Sequence, residues 1–525
     1  MKSFITKNLY SKKNFQFYSF VFFFFLLLTK LSAQSFEVSV SGEKIQVFEQ
    51  NDLPHALGLS TYKFARIPYR GESLSVKITT NGFDFQDNDW SISPKRYKIE
   101  GIKSGNQLSF DFDRLGYVVI RFKQNQDFTK RLVLLFEVPE VLPEERVDIV
   151  ESYGVDNTGE KNETLKIQAA LDDISGSNKA LYFPPGMYKS FKLDFRSNSR
   201  IHLSKNARLL ADDTALESYI SDSETKINCF LRIEGVENLS ISGLGILDGN
   251  GTKMVGLSHQ EQSKIFSGMR LILINRSKKI KFEGVILKDA ARWNTHILNA
   301  QDVSFRYCKL MNNPVENEYL GSLDGWDPDS SSNVRIENCF GWAGDDTVAI
   351  KCTGVGSQGG EVPNVDRITV KGNVFLTKKT GLKIGTETRC ALMQNIVFED
   401  NEIIESDRVM GINVRDGAIV SQVLFKNNYA EYCYPDRKQN GMNFYITKRN
   451  KETSALGKIQ NVMIENCTFE QAFPKRFSFY RHYTETETSD LSINFKNFVI
   501  GGNKIELLDT IYFDPQKNNA ALFFE

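Results

Sequence analysis

A short motif recurs nine times between residues 238 and 505, and it limits the possible folds more than any other feature. Each copy begins with a polar residue, usually Asn or Asp, continues with alternating apolar and polar residues, and ends in a second apolar strand. The copies, with the number of the first residue, are NLSISGLGI (238), KIKFEGVIL (279), DVSFRYCKL (302), NVRIENCFG (333), RITVKGNVF (367), NIVFEDNEI (395), QVLFKNNYA (422), NVMIENCTF (461) and NFVIGGNKI (497). Each copy is too short to bury its own apolar face, so neighbouring copies must stack into one continuous core. Short alternating strands repeated in this way predict an all-β fold, a right-handed parallel β-helix.

The residues between the strands of the repeat support a coiled arrangement. Asn and Cys recur in the turns, where we expect them to form ladders inside the coil. A helix is predicted only at residues 162–174, NETLKIQAALDDI. This helix would cover the N-terminal end of the coil, where open strand edges would otherwise promote aggregation.

The region before the repeats has a different pattern. Residues 34–145 contain no cysteine and alternate in segments such as LSVKITT (74–80), YVVIRFK (117–123) and RLVLLFEV (131–138), which are separated by Gly and Asn/Asp clusters. This pattern predicts a small antiparallel β-sandwich. The segment PEVLPEER (139–146) is interpreted as a linker, so the β-helix domain is predicted to occupy residues 146–525.

The N-terminus has the pattern of a secretory signal peptide over residues 1–33. The apolar run FVFFFFLLL (20–28) follows several lysines, and LSA (31–33) supplies small residues for cleavage. The run is well short of the roughly 20 apolar residues that span a bilayer, which disfavours a membrane anchor. We therefore expect a secreted or periplasmic protein with no membrane span.

The charge balance and the cysteines exclude several kinds of partner. The chain has 65 basic and 65 acidic residues, and removal of five signal-peptide lysines leaves 60 against 65, a net charge of −5. Nucleic acid is therefore not an expected partner, because no basic excess is available to neutralise phosphates. The seven cysteines form no CxxC or His-Cys pattern, so we expect no metal site and no cofactor. We expect a monomer.

A group of carboxylates indicates chemistry on the coil. The segment DGWDPDSSSNVRIENCFGWAGDDTVAIKC (324–352) contains Asp324, Asp327, Asp329, Asp345 and Asp346. A separation of 21 or 22 residues is close to one turn of a coil, and adjacent strands lie about 4.8 Å apart. Asp324 should therefore lie beside Asp345 and Asp346 on the same outer face, with the adjacent pair in a turn.

Carboxylates held this closely can act as an acid and a base. Mutual repulsion raises the pKa of at least one of them, and a protonated acid beside ionised carboxylates is the arrangement of glycoside hydrolysis. Two alternatives remain open from spacing alone. Asp327 and Asp329 precede three serines and are typical of turns, and clustered carboxylates also suit a calcium site.

Several of these residues resemble glycoside hydrolase family 28, the polygalacturonases and their relatives, along residues 147 to about 430. The similarity lies in YGVDNTGEKNETLKIQAALDD, in LKDAARWNTHILNAQDVSF (287–305) and, most specifically, in DGWDPDSSSNV followed by GDDTVAIK. The resemblance implies that Asp345 is the general acid, and that Asp346 and Asp324 activate water for a single displacement with inversion.

The chain departs from the family pattern in three motifs. SLD replaces NTD, Thr380 stands at the His position of the GHG motif, and NVR replaces RIK. These changes predict an altered specificity, for an acidic or otherwise modified polysaccharide of pectic or algal type. His296 is interpreted as structural. The candidate substrate-binding residues are Arg415, Lys383, Lys351, Asn413 and Trp326.

Other functions remain possible at this stage. A hydrolase similar to glycoside hydrolase family 49 would join a β-sandwich to a β-helix and act on neutral α-glucans. A polysaccharide lyase would need calcium or a basic Lys or Arg. A non-catalytic glycan-binding β-helix would retain the acids without using them.

Overall fold

The computed structural model describes residues 35–49, 62–124, 127–220, 223, 225–260, 269–312, 322–357, 360–434, 441–470, 476–482, 484, 487–506 and 513–525. The predicted signal peptide, residues 1–33, lies outside these ranges.

Residues 35–137 form two facing five-stranded sheets. One sheet contains β1 (Ser35–Val40), β2 (Glu43–Ile45), β5 (Leu74–Asn81), β7 (Ile102–Ser104) and β8 (Gln107–Phe112), in the order β2-β1-β5-β8-β7. The other contains β3 (Val47–Glu49), β4 (Tyr62–Pro68), β6 (Trp90–Ser93), β9 (Gly116–Gln124) and β10 (Asp127–Glu137), in the order β3-β4-β10-β9-β6. The longer strands of the first sheet alternate between buried and more exposed residues, as in β5, where Leu74, Val76 and Ile78 face the core. In the second sheet, β4, β9 and β10 are buried on both faces over most of their described side chains. The predicted β-sandwich is confirmed, except that β4 and β10 run parallel.

Three long sheets form the rest of the chain. Coil sheet 1 contains β11 (Arg146–Asp148), β13 (Ala180–Phe183), β16 (Ser199–Leu203), β19 (Glu237–Gly243), β22 (Lys278–Glu283), β25 (Gln301–Arg306), β28 (Ser332–Glu337), β31 (Val365–Lys371), β34 (Leu392–Glu399), β37 (Ile419–Lys426), β40 (Lys458–Glu465), β43 (Leu491–Lys496) and β47 (Ala521–Phe524). Coil sheet 2 contains β12 (Thr158–Asn162), β14 (Gly186–Ser190), β17 (Ala207–Ala211), β20 (Ile246–Asp248), β23 (Ile286–Lys288), β26 (Lys309–Met311), β29 (Phe340–Ala343), β32 (Val374–Thr377), β35 (Glu402–Ser406), β38 (Tyr429–Cys433), β41 (Thr468–Phe469), β44 (Val499–Ile500) and β45 (Asn503–Lys504). Coil sheet 3 contains β15 (Leu193–Asp194), β18 (Cys229–Glu234), β21 (Arg270–Asn275), β24 (Thr295–Leu298), β27 (Trp326–Asp329), β30 (Val348–Cys352), β33 (Thr380–Thr388), β36 (Arg408–Val414), β39 (Met442–Ile446), β42 (Phe477–Tyr480) and β46 (Phe513–Asn518).

The three coil sheets confirm the predicted parallel β-helix. The chain visits the sheets in turn, and each strand pairs in parallel with the strand one rung later, as β24 does with β27 and β27 with β30. The final pair, β44 and β45, is antiparallel.

The polar first residue of each repeat has a structural cause. Asn238, Asn333, Asn395 and Asn461 all have a positive φ, between 51° and 61°. This left-handed conformation is strained for most residues, and Asn tolerates it better. The eight copies up to residue 461 begin where the chain enters coil sheet 1. The ninth copy begins at Asn497, in the connection between β43 of coil sheet 1 and β44 of coil sheet 2.

The predicted ladders of Asn and Cys are confirmed inside the coil. Asn373 Nδ2 donates to Asn401 Oδ1 at 2.8 Å, and Asn401 Nδ2 donates to Asn428 Oδ1 at 2.9 Å. The backbone N–H of Cys339 donates to Asn373 Oδ1 at 2.7 Å at one end of the row. All seven cysteines are described and buried, and none of them forms a disulfide bond. The ladder satisfies buried polar groups one rung after another.

Three α-helices occur in the described residues, α1 (Ile149–Tyr153), α2 (Thr164–Asp173) and α3 (Gly251–Gln260). Helix α2 lies where a helix was predicted, and its buried residues Ile167, Ala170 and Leu171 join the coil core. The expectation of only one helix was wrong. Helix α1 is capped by the Asp148 carboxylate, and α3 lies in a connection between coil sheets 2 and 3. In the described part of the chain, no helix combines the length and apolar character needed to cross a membrane.

The sandwich packs against the outer face of coil sheet 2. Apolar side chains of β4, β9 and β10 form one cluster with those of β23, β26, β29, β32 and β35. Glu405 accepts hydrogen bonds from Arg131 Nη2 at 2.8 Å and from the Tyr434 hydroxyl at 2.7 Å. Arg131 also lies over the ring of Trp342, 5.5 Å from its centre. The interface therefore combines an apolar cluster with buried ion pairs.

Candidate active site

The three predicted catalytic acids lie on adjacent rungs at one edge of coil sheet 3. Asp324 is in the connection before β27, and Asp345 and Asp346 are in the bend between β29 and β30. The Gly325 N–H donates to the Asp346 carbonyl at 2.9 Å, which fixes the two segments side by side. The predicted neighbourhood of the three acids is thus confirmed, as is the turn that contains the adjacent pair.

Asp346 is held as an ionised carboxylate. Lys383 forms an ion pair with Asp346 Oδ2, and the Thr380 N–H donates to Asp346 Oδ1 at 2.9 Å. Burial alone would raise the pKa of Asp346, but the positive charges of Lys383 and Arg408 lower that pKa to about 2. Asp346 is therefore a base over the whole physiological range.

Asp324 is paired with a different lysine. Lys351 Nζ lies 2.7 Å from Asp324 Oδ2 and 3.0 Å from Asp327 Oδ1. The same Nζ lies 3.6 Å from the centre of the Trp293 ring. Burial opposes the charge of Lys351, yet Asp324 and Asp327 raise the pKa of this lysine above its usual value. Lys351 therefore stays charged although it is only 4% exposed.

Asp345 has no such cation. Among the described residues, its carboxylate accepts only the backbone N–H of Ser322, at 3.2 Å. Burial raises the pKa of Asp345, and the charges of Asp324 and Asp346 raise it further, to about 7. Asp345 is less deeply buried than the other two acids. Below about pH 7, Asp345 carries a proton beside Asp324 and Asp346.

Asp327 and Asp329 lie within strand β27, so the expectation that they shape a turn at their own position was wrong. Asp329 Oδ2 pairs with His296 Nε2 at 2.9 Å and accepts the Thr353 hydroxyl at 2.6 Å. These contacts support the structural interpretation of His296. Burial raises the pKa of Asp327 well above its usual range, although Lys351 opposes this rise.

Three predicted substrate-binding residues are buried. Trp326 is 0% exposed and packs inside the coil near Phe305 and Phe375, because alternation along β27 directs it inward. Asn413 is 1% exposed, and its Nδ2 donates to the Asn443 carbonyl at 3.0 Å. The ammonium group of Lys351 forms ion pairs with Asp324 and Asp327, as described above. The prediction for Trp326 was wrong, because its side chain packs inside the coil. Lys351 is as exposed as Asp324 and Asp346, so substrate contact by Lys351, and by Asn413, stays a prediction.

The other two predicted binding residues remain at the surface in part. The Lys383 side chain is 12% exposed, and its ammonium group forms an ion pair with Asp346. Arg415 follows β36 on the same sheet and is half-buried. Its buried Nε has no hydrogen-bond partner, and no carboxylate of the described residues forms an ion pair with it. Arg415 is thus available to an anionic group from outside the protein.

Sequence reasoning missed other residues around the acids. Trp293 covers Lys351 and His296, and Arg408 acts on Asp346. Tyr445 and Tyr480 lie side by side on β39 and β42. Trp293 belonged to a segment already singled out, but its position above the sheet depends on a turn whose path the sequence does not reveal. Among the described residues, no group of three His, Cys, Asp or Glu side chains is arranged to hold a metal ion.

The fold and the site together define a parallel β-helix protein with a carboxylate cluster on one outer face. The sequence profile described as Glycosyl hydrolases family 28 matches residues 186–480, more than half of the chain. The chain belongs to this family.

Individual relatives are more distant. The chain is 26% identical to a "Probable polygalacturonase" of Vitis vinifera over 38% of its own length and 43% of that protein. It is 26% identical to "Endo-xylogalacturonan hydrolase A" of Aspergillus tubingensis over 47% of its length and 67% of that protein. It therefore spans less than half of the first relative and about two thirds of the second.

Solved structures agree with the fold. The family 28 exopolygalacturonase of Yersinia enterocolitica superposes with a TM-score of 0.56 at 14% identity, covering 83% of this chain and 91% of that one. The polygalacturonase of Erwinia carotovora gives the same TM-score at 18% identity, covering 74% and 98%. At these identities the likeness concerns the fold alone.

Proposed function

We propose that this protein is a glycoside hydrolase that cleaves an acidic polysaccharide of pectic type by inversion, without a cofactor. The observation that carries the proposal is that three neighbouring acids differ in their ion-pair partners. Asp346 and Asp324 are each paired with a lysine, whereas Asp345 forms no ion pair with a described residue and has its pKa raised to about 7. Glycoside hydrolysis needs an acid and a base whose pKa values lie on opposite sides of the working pH.

The proton transfers follow from this division. Asp345 donates its proton to the glycosidic oxygen while the bond from that oxygen to the anomeric carbon breaks. A water molecule attacks the anomeric carbon from the opposite face, and Asp346 or Asp324 accepts the proton that the water loses. The products are a free hydroxyl on the leaving sugar and a hemiacetal of inverted configuration. Exchange with solvent restores the proton of Asp345.

The acidic substrate is supported by Arg415. An arginine on the same sheet as the acids, with no carboxylate partner among the described residues, suits a uronate carboxylate, which it can bind with two parallel hydrogen bonds. The relatives named after polygalacturonan and xylogalacturonan agree with this choice. We also propose that residues 1–33 direct export to the periplasm or the medium, which N-terminal sequencing of the exported protein tests.

The test compares Asp345→Asn with the wild type on polygalacturonate and xylogalacturonan. We expect reducing-end release to fall by roughly 10²- to 10⁴-fold, the usual contribution of a general acid. Asp113→Asn, on an exposed residue of the sandwich, is the matched control and should retain full activity. Full activity of Asp345→Asn would refute the proposed acid.

Two further measurements define the chemistry and the substrate. The value of kcat/KM should fall as pH rises through about 7, because Asp345 then loses the proton that it must donate. Proton NMR of the first product formed should show the inverted anomer. Cleavage of dextran or pullulan in preference to uronate polymers would contradict the acidic substrate and favour a neutral α-glucan.

A further inference from the structure

The outer face of coil sheet 3 differs on the two sides of the acids. On the upstream side, toward the N-terminus, every residue of β21 and β24 is buried except Arg270. On the downstream side, each of β33, β36, β39 and β42 has at least one residue that is partly or fully exposed. A polymer could therefore contact the downstream strands but not β21 and β24, the two upstream strands next to the acids.

Trp293 covers the upstream rung nearest to the acids. Its ring packs edge-on against His296, with 4.8 Å between ring centres, and is itself only 9% exposed. Arg270 and Lys351 lie over the ring, 4.7 and 3.6 Å from its centre. The position next to Asp324 where a sugar chain would continue upstream is thus filled by protein.

The connection after β30 covers the rest of the upstream face. Val355 packs against a buried cluster that contains Leu273 and Leu298, which are outward-facing residues of β21 and β24. Two hydrogen bonds hold the connection there. Asn299 Nδ2 donates to the Val355 carbonyl at 3.5 Å, and Arg276 Nη2 donates to the Gly356 carbonyl at 3.3 Å. We call Trp293 and Val355, with the residues beneath them, the upstream cover.

The downstream face carries two tyrosines in register. Tyr445 on β39 pairs directly with Tyr480 on β42, so the side chains lie one rung apart on the same face. Tyr445 is partly exposed and Tyr480 is 37% exposed. Tyrosine offers an apolar ring face and a hydroxyl group together, a combination that suits a sugar ring.

We propose that the polysaccharide lies only across the downstream strands, with one chain end held beside the acids against the upstream cover, and that Tyr480 binds a sugar distant from the cleaved bond. The inference rests on the proposed function, to which it adds an end-wise mode of action. Each turnover then hydrolyses a bond near one terminus and releases a short product. Removal of the Tyr480 ring should weaken binding of long oligomers only.

The first test follows the products of the wild type acting on polygalacturonate. We expect a single short product from the earliest time points, and a small fall in viscosity for each bond broken. Homogalacturonan oligomers labelled at the reducing end show which terminus is held, since the label either remains on the long fragment or leaves with the short one. A ladder of intermediate sizes at the start of the reaction would overturn the proposal.

The second test measures binding to Asp345→Asn, so that it does not depend on turnover. Homogalacturonan oligomers of one to eight residues are titrated against this variant and against double variants that add Tyr480→Ala, Tyr480→Phe or Leu165→Ala. We expect Tyr480→Ala to weaken the longest oligomers roughly tenfold, as loss of an apolar contact surface predicts, and to leave the shortest unchanged. Tyr480→Phe keeps the ring and should bind almost normally. Leu165→Ala, on the exposed face of α2, should have no effect.

The outcomes separate the two proposals. In one outcome, the wild type shows no cleavage while binding still depends on oligomer length and on Tyr480. In that case the hydrolase proposal fails and the downstream path stands. If cleavage occurs but Tyr480→Ala binds all lengths normally, the path is wrong and the hydrolase proposal stands. Absence of binding at every length would overturn the path.

Discussion

Replacement of Asp345 by Asn should greatly reduce activity and yet stabilise the fold at alkaline pH. The pKa of Asp345 rises from its ordinary value of 3.8 to about 7 in the folded protein, through burial and then through the charges of Asp324 and Asp346. Between these two pH values, the folded protein keeps a proton that the unfolded chain has lost. The free energy of unfolding therefore falls as pH rises through this window.

The magnitude follows from the size of the pKa shift. At 1.36 kcal/mol for each pKa unit, the rise from 3.8 to about 7 corresponds to about 4 kcal/mol of lost stability above pH 7. Asn cannot ionise, so Asp345→Asn should avoid most of this loss at pH 8 and should match the wild type below pH 4. For a chain of 525 residues, the unfolding entropy of about 2.1 cal/mol/K per residue converts about 4 kcal/mol into a rise of about 4 °C in Tm.

The measurement is a pair of thermal unfolding curves at pH 4 and pH 8 for each protein, followed by tryptophan fluorescence or calorimetry. Asp113→Asn serves as the control, since the Asp113 side chain is 64% exposed, and it should behave as the wild type does at both values of pH. The reasoning fails if the gain of Asp345→Asn is the same at both values, or if the gain appears only at pH 4.

Three further substitutions test the contacts that organise the site and the fold. Lys351→Met leaves Asp324 without its cation, so urea denaturation should show a loss of about 3–5 kcal/mol, and reducing-end release should fall with it. Asn401→Leu interrupts the buried ladder and should lower the unfolding free energy by about 1–3 kcal/mol. Glu405→Leu removes the carboxylate that pairs with Arg131 under the sandwich, so limited proteolysis after residue 137 should become faster while the coil remains resistant.

Each of these predictions has its own contradiction. Unchanged stability in Lys351→Met would mean that the buried ion pair between Lys351 and Asp324 does not stabilise the fold. An unchanged unfolding free energy in Asn401→Leu would show that the ladder is replaceable by apolar packing. Equal proteolysis rates with and without Glu405 would show that the ion pair between Glu405 and Arg131 does not hold the interface together.

The sequence predicted the coil and the neighbourhood of the acids because both depend on local patterns. The repeat requires stacking, and a spacing of one coil turn places Asp324 beside Asp345 and Asp346 whatever the rest of the chain does. The alternation of side-chain directions along β27 could also be predicted from the sequence. In a strand, alternate residues face opposite sides, so outward Asp327 and Asp329 require that Trp326 points inward, as observed.

The ion pairs were not readable in the same way. Lys351 and Lys383 follow the acids by one or two rungs, and whether each lysine reaches a carboxylate or a substrate depends on rotamers and burial. The sandwich interface is harder still, because Glu405 meets Arg131 across 274 residues of sequence. Partners that are distant in the chain leave no periodic signal, so the sequence identified two domains without indicating that they share a buried interface.

The placement of the lysines changes where substrate charge is recognised. An anionic polymer needs a cation that is not already neutralised, and the carboxylates occupy Lys351 and Lys383. Arg415 is then the one predicted binding residue that combines partial exposure with no ion-pair partner among the described residues. Mutation of either lysine should therefore change the ionisation of an acid, and with it kcat. Mutation of Arg415 should instead change KM for uronate polymers and leave the pH profile unaltered. This difference would distinguish the residues that perform cleavage from the residue that recognises the substrate.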